Sequence, residues 1–190
     1  MPENIRTREP SFFFQPHYRM KSASFLLQLG PRIFNLATVD RAYPGWSLFR
    51  DEICLIFDIL SGGGVIDKVT RVGMRYINFF QSNVFQVSNF SVLLGNTSLT
   101  DGKTFLRVQF SDDGLVTTVQ VTNEGHLVTE EGTKPGSIID LDTFCLEPAF
   151  AEKASESFPN LIEAAHRTLK KRFFAGLAEG FVASLSPQYE

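Results

Sequence analysis

Only two stretches of this chain carry a helical period, and every other apolar run is short, alternating and bounded by turn residues. Trp46, Phe49, Ile53, Ile56, Phe57 and Leu60 recur at steps of three and four, so they share one stripe of a helix that follows Pro44 and stops at Gly62-Gly63-Gly64. Ile162, Ala165, Leu169, Phe173, Gly176 and Gly180 form the second stripe, on a helix expected to start near Phe158-Pro159-Asn160 with Asn160 as its cap. A doubly wound parallel sheet needs a helix after nearly every strand, and that pattern is absent. The chain therefore reads as α+β, an antiparallel sheet with two main helices packed on it, in a single domain over 1–190 whose residues 1–11 form a flexible tail.

The strands follow from the turn signals. Gly30-Pro31 joins Phe25–Leu29 to Arg32–Val39 as a hairpin, and "RVGMRYINFF" lies in a strand from about Lys68 to Phe80. A polar loop, "QSNVFQVSNFS", comes next and is expected to hold a short strand of its own. "TFLRVQF" and "LVTTVQV" flank Ser111-Asp112-Asp113-Gly114 as a second hairpin. Thr122-Asn123-Glu124-Gly125 and the segment from Glu131 to Gly136 then predict loops on both sides of a short link, before "SIIDLDTF" returns as a strand.

Composition narrows the function classes. A net charge of −3 gives no overall footprint for nucleic acid, and Lys170-Lys171-Arg172 reads as one solvated helix face. Cys54 and Cys145 sit in apolar segments without CxxC spacing, as buried reduced thiols of a cytoplasmic protein. No apolar run reaches the ~18 residues of a membrane span. With 19 phenylalanines against one Trp and four Tyr, there are more rings than one small core holds, and some are expected at a subunit contact. Leu55 and Ile59 fall opposite the apolar stripe of the first helix, so a second layer or a partner chain should cover them.

Arg71 and Arg75 point to the same face of their strand, ~13 Å apart, with Gly73 between them. Such a pair can form an anion site, with Gly73 admitting a ligand to the backbone, or can be neutralised by acids on a neighbouring strand. Asp140 and Asp142 alternate with Ile139 and Leu141 and also share a face; they can hold a divalent metal or answer the arginines. If the two strands share a sheet face, the four charges pair within the chain. His166 lies in the apolar stripe of the second helix, where a base would need a carboxylate or metal in reach and a core histidine only a hydrogen-bond partner. His17 and His126 lack partner spacing, and "SGGGVIDK" lacks the spacing of a phosphate-binding loop. No serine occupies a G-x-S-x-G elbow, and neither cysteine has the electropositive flank of a nucleophile.

In order along the chain, "FLLQLGPRIFNLATVDRAYPGW", "RVGMRYINFF", "IIDLDTF" and "AHRTLKKRFF" resemble the signatures of a sporadically distributed bacterial and archaeal protein family without an assigned activity. The matching positions are Gln28, Gly30, Pro31, Tyr43, Trp46, Arg71, Gly73, Arg75, Tyr76, Asn78, Asp140, Asp142, His166 and Phe173. The resemblance implies that a shared feature lies around Arg75, Tyr76, Asn78 and His166. Members of the family usually open with a Pro-Pro-[Ile/Leu]-x-Glu-[Ala/Val] strand and a helix, whereas this chain opens with "MPENIRTREPSFFF", so a shorter relative or a fragment is expected, with a sheet edge left open.

The leading expectation is a non-catalytic interaction or oligomerising module, working with a second copy or a second protein through Leu55, Ile59 and a Phe-rich surface; sporadic occurrence would suit an accessory of a defence or toxin–antitoxin system. The alternative is a metal-dependent phosphoesterase or nucleotide-processing enzyme, with Asp140 and Asp142 on the metal, Arg71 or Arg75 on the anion and His166 as base. Arg71, Arg75, Tyr76 and Asn78 are the anion-binding candidates in either case. A further alternative is a nucleic-acid-binding protein using Arg71, Arg75 and the Lys170 run, although nucleic acid ranks behind protein as a partner; no cofactor and no membrane partner is expected.

Overall fold

The computed structural model describes residues 13–39, 43–100, 102–129, 132–146 and 154–185. The tail expected over residues 1–11 lies outside them. The chain divides into two compact units, Met1–Val65 and Ile66–Glu190. The fold class is α+β, with antiparallel sheets and helices packed on them.

In the first unit β1 (Tyr18–Lys21), β2 (Phe25–Gly30) and β3 (Ile33–Thr38) form a three-stranded antiparallel sheet in the order β1-β2-β3. The Gly30-Pro31 turn closes the expected hairpin, with Gly30 paired to Ile33. Helix α1 (Trp46–Gly62) starts after Gly45, whose φ of 97° suits glycine, and ends at the glycine run. Its apolar stripe packs on this sheet through rings, Phe49 edge-on to Phe25 at 6.0 Å and Phe57 tilted against Phe34 at 6.3 Å.

In the second unit β4 (Arg71–Phe80), β7 (Phe105–Asp112), β8 (Leu115–Thr129) and β9 (Gly132–Leu146) form a four-stranded antiparallel sheet in the order β4-β9-β8-β7. Between β4 and β7 lie helix α2 (Val84–Val87) and the small pair β5 (Leu93–Leu94) and β6 (Thr97–Ser98). Helix α3 (Ala154–Gly176) packs across β4 and β9, burying Ile162, Ala165 and Leu169, and α4 (Glu179–Ser184) follows it. Leu115 and Cys145 form a buried cluster with Val72, Leu161 and Ala164 packed against it.

Four expectations need correction. The loop after β4 opens with a helical turn where a strand was expected, because Asn83 caps it by accepting from the Phe85 N–H at 2.9 Å. The two predicted loops around residues 122–136 belong to one long ribbon of β8 and β9, interrupted by a bulge at Asn123-Glu124 where Glu124 takes φ 55°. Pro135 is tolerated there because β4 pairing ends at Ser137, leaving β9 with a single neighbour. Helix α3 begins at Ala154, with Pro159 inside it near the start, where one intrahelical bond is lost. The stripe ends at Gly176: Leu177 bridges to Ser88, and Gly180 belongs to α4.

Candidate functional site

Directly opposed residues of an antiparallel pair share a face, so the strand register sorts the candidate residues. Arg75 lies opposite Asp142, Ile77 opposite Asp140 and Gly73 opposite Phe144; Tyr76 opposes Leu141 and Asn78 opposes Ile139. Arg71, Arg75, Asp140 and Asp142 therefore meet on one face, and Tyr76 and Asn78 project from the other.

On the charged face both arginines lean along β4 toward its C-terminal end. Arg75 forks onto Asp140, with Nε to Oδ1 at 2.8 Å and Nη2 to Oδ2 at 2.6 Å, and Gln120 of β8 donates to the same Oδ2 at 3.1 Å. That hydrogen bond to Asp140 raises the Arg75 guanidinium above its ordinary value, burial opposing it and the charges of Asp140 and Asp142 adding to it. Arg71 reaches past Gly73 to donate to Asp142 at 2.9 Å, and its guanidinium carbon stands 4.4 Å from the centre of the Phe144 ring. A methyl group on Gly73 would meet the Arg71 guanidinium at 3.0–3.2 Å. The space that could have admitted a ligand to the backbone is filled by the chain's own arginine. Arg71, Asp142, Arg75 and Asp140 thus form a row of alternating charge.

The two partners of each pair differ in their surroundings. The Asp140 side chain is 10% exposed and that of Arg75 is 56% exposed, so the acid is built into the sheet and the base reaches over it from the wet side. Both arginines therefore lie on the wet face of the sheet, which they share with the exposed Ile77, while Val72, Met74 and Tyr76 alternate to the other face.

On the opposite face α3 covers the sheet. The Tyr76 hydroxyl and His166 Nδ1 are 3.0 Å apart, the rings are edge-to-face at 82°, and His166 is buried. Asn78 donates to the Ile139 carbonyl at 3.3 Å. Nearby, the buried hydroxyls of Thr117 and Thr143 pair at 2.9 Å. His166 as base and Asp140 and Asp142 as metal ligands would have to converge, and the sheet lies between them. Among the described residues no group of three or more His, Cys, Asp and Glu side chains is placed to hold a metal ion.

The remaining candidates are distributed as follows. Leu55 and Ile59 lie on α1 and are exposed. Arg172 departs from the expected solvated face, since its guanidinium carbon stacks 4.4 Å from the Phe110 ring centre. Burial pushes the thiols of Cys145 and Cys54 upward, for Cys54 against the lowering influence of Arg50, so neither is poised as a nucleophile.

Sequence reasoning missed a buried polar knot on the α3 side. The bulge turns Asn123 inward; Ser137 Oγ accepts from the Val84 N–H at 3.1 Å and stands 2.9 Å from both Asn123 Oδ1 and the Ser82 carbonyl, and Asn123 donates to the Gly102 carbonyl at 3.1 Å. These bonds tie α2 and the chain before β7 to the sheet. No motif announces them, because Asn123 reads as a turn residue until the register places it beside Ser137. Comparison with protein-family models, curated proteins and solved structures finds no match to the chain.

Proposed function

We propose that this protein is a non-catalytic interaction module whose first partner is another copy of itself. The observation that carries the reading is the set of exposed apolar residues on one face of α1: Leu48, two turns before Leu55, Leu55 itself, and Ile59, one turn after it, are 61%, 55% and 62% exposed. A helix that buries one face and leaves a second apolar stripe in water carries a surface whose burial would be favourable, by roughly 25 cal/mol per Å² of apolar area removed from water.

The split of the ionisable candidates supports this reading over a metal-dependent phosphoesterase. Arg75 is committed to Asp140, Arg71 to Asp142 and Tyr76 to His166, on two faces of one sheet. An enzyme of the alternative class needs Asp140, Asp142 and His166 around one reacting atom. The same pairing leaves the arginines little free charge for a nucleic-acid backbone. Family membership of the kind the sequence signatures suggest, and a role as an accessory of a defence or toxin–antitoxin system, remain part of this proposal.

Sedimentation velocity of the full chain over a wide concentration range tests it. The expected result is a weight-average sedimentation coefficient that rises with concentration; a concentration-independent monomer contradicts the proposal.

A further inference from the structure

Strand β7 ends the four-stranded sheet, and its one strand neighbour there is β8. Alternate residues of an antiparallel strand turn their N–H and C=O groups away from the neighbour, so half of the backbone groups between Phe105 and Asp112 face outward. Proteins blunt such edges with proline, a bulge, short length or charged side chains. This edge is eight residues long, has no proline, runs in unbroken register from Phe105 opposite Thr122 to Asp112 opposite Leu115, and carries charge only at Arg107 and Asp112. Phe105, Val108 and Phe110 along it are all exposed.

Resting on the reading that the chain associates with its own copies, we infer that β7 pairs antiparallel with β7 of a second copy about a two-fold axis through Val108, joining two four-stranded sheets into one. A two-fold axis perpendicular to the sheet keeps each face on its own side only when it passes through a residue, and the central choices are Arg107, Val108 and Gln109. An axis through Arg107 sets two guanidinium groups against each other. One through Gln109 sets Leu106 against Asp112. The Val108 axis sets Leu106 against Phe110 and Val108 against itself on one face, and Arg107 against Gln109 and Phe105 against Ser111 on the other. No like charges meet, and on the face of Leu106, Val108 and Phe110 apolar side chains meet apolar ones. Gln109 already donates its Nε2 to Thr118 Oγ1 at 3.0 Å, which turns its amide oxygen into an acceptor for an incoming Arg107. This self-complementarity favours a second copy over an unrelated strand.

Sedimentation equilibrium of the full chain, parent and variants, tests the inference. Gln109→Glu places a carboxylate opposite Arg107 twice per dimer and is expected to tighten association roughly three- to thirty-fold, while Gln109→Arg weakens it by a similar factor. Val108→Lys, which brings two ammonium groups together on the axis, is expected to abolish the β7-paired dimer, whereas Leu55→Glu, on the separate α1 surface, is expected to leave that dimer intact and to weaken only further association of dimers. The two Gln109 variants alter one exposed position, and circular dichroism of each confirms the fold. A parent that stays monomeric at every concentration overturns both the inference and the reading beneath it. A parent that associates, with a constant unchanged by Gln109→Arg and Val108→Lys but lost in Leu55→Glu, overturns the β7 pairing and leaves the reading standing.

Discussion

Gly73 illustrates how a missing side chain can serve a charged neighbour. Its open side holds the guanidinium of Arg71, which spans from its own position to Asp142 and lies on Phe144. Alanine at Gly73 would push against the flexible end of Arg71, while relieving the entropic cost of glycine in a strand, about 0.5–1 kcal/mol. We therefore expect Gly73→Ala to change stability by less than about 1 kcal/mol and to become more favourable in an Arg71→Ala background. Equal effects in both backgrounds, measured by urea denaturation, would contradict the account. The pairing of arginines with aspartates was legible in the sequence, because both pairs alternate at strand spacing. What could not be read was the register. Arg75 stands opposite Asp142 yet binds Asp140, a diagonal that depends on the lean of the side chains.

At the scale of elements, the hairpins, the first long helix and the middle of the second with its stripe followed from period and turn residues, while the start of the second helix and its expected last stripe position, Gly180, did not. The ribbon of β8 and β9 did not, since its Asn, Gly and Pro residues carry turn chemistry and are held in strand by pairing across the bulge. The knot at that bulge gives a measurable consequence. Ser137→Ala leaves the Val84 N–H without its hydroxyl acceptor in a buried setting, and should cost about 1–3 kcal/mol, with faster hydrogen exchange at Val84. Unchanged exchange at Val84 would show that the knot does not hold α2. Gly136→Ala should be at least as damaging, because its methyl would meet the Phe80 carbonyl and the Phe79 ring at 2.6 Å, and the backbone cannot give way.

For the whole molecule, Phe57 and Phe158 are the buried phenylalanines among the described residues and most of the others are half-buried, in ring pairs such as those that join α1 to its sheet and Phe80 to Phe181. Exposed rings remain at Phe14, Phe105 and Phe110, two of them on the edge strand. The thiols set an alkaline limit on stability. Burial raises Cys54 and Cys145 above the ordinary value of 9.0, so the unfolded chain releases these protons first. Their contribution is complete below that value and is lost as pH rises from it through the raised folded values. The urea midpoint should fall over this window, less steeply in Cys145→Ser than in the parent. Equal slopes would contradict the burial argument.

The claim on which the rest turns is that the charges of the sheet neutralise one another and build its framework. A double-mutant cycle on Arg75→Met and Asp140→Asn, followed by urea denaturation, measures this directly. Because Asp140 is buried and Arg75 half in water, Arg75→Met should cost more than Asp140→Asn, with a coupling of about 1–2 kcal/mol after allowance for solvent screening. Additive effects with no coupling, or a gain in stability on removing Arg75, would contradict it.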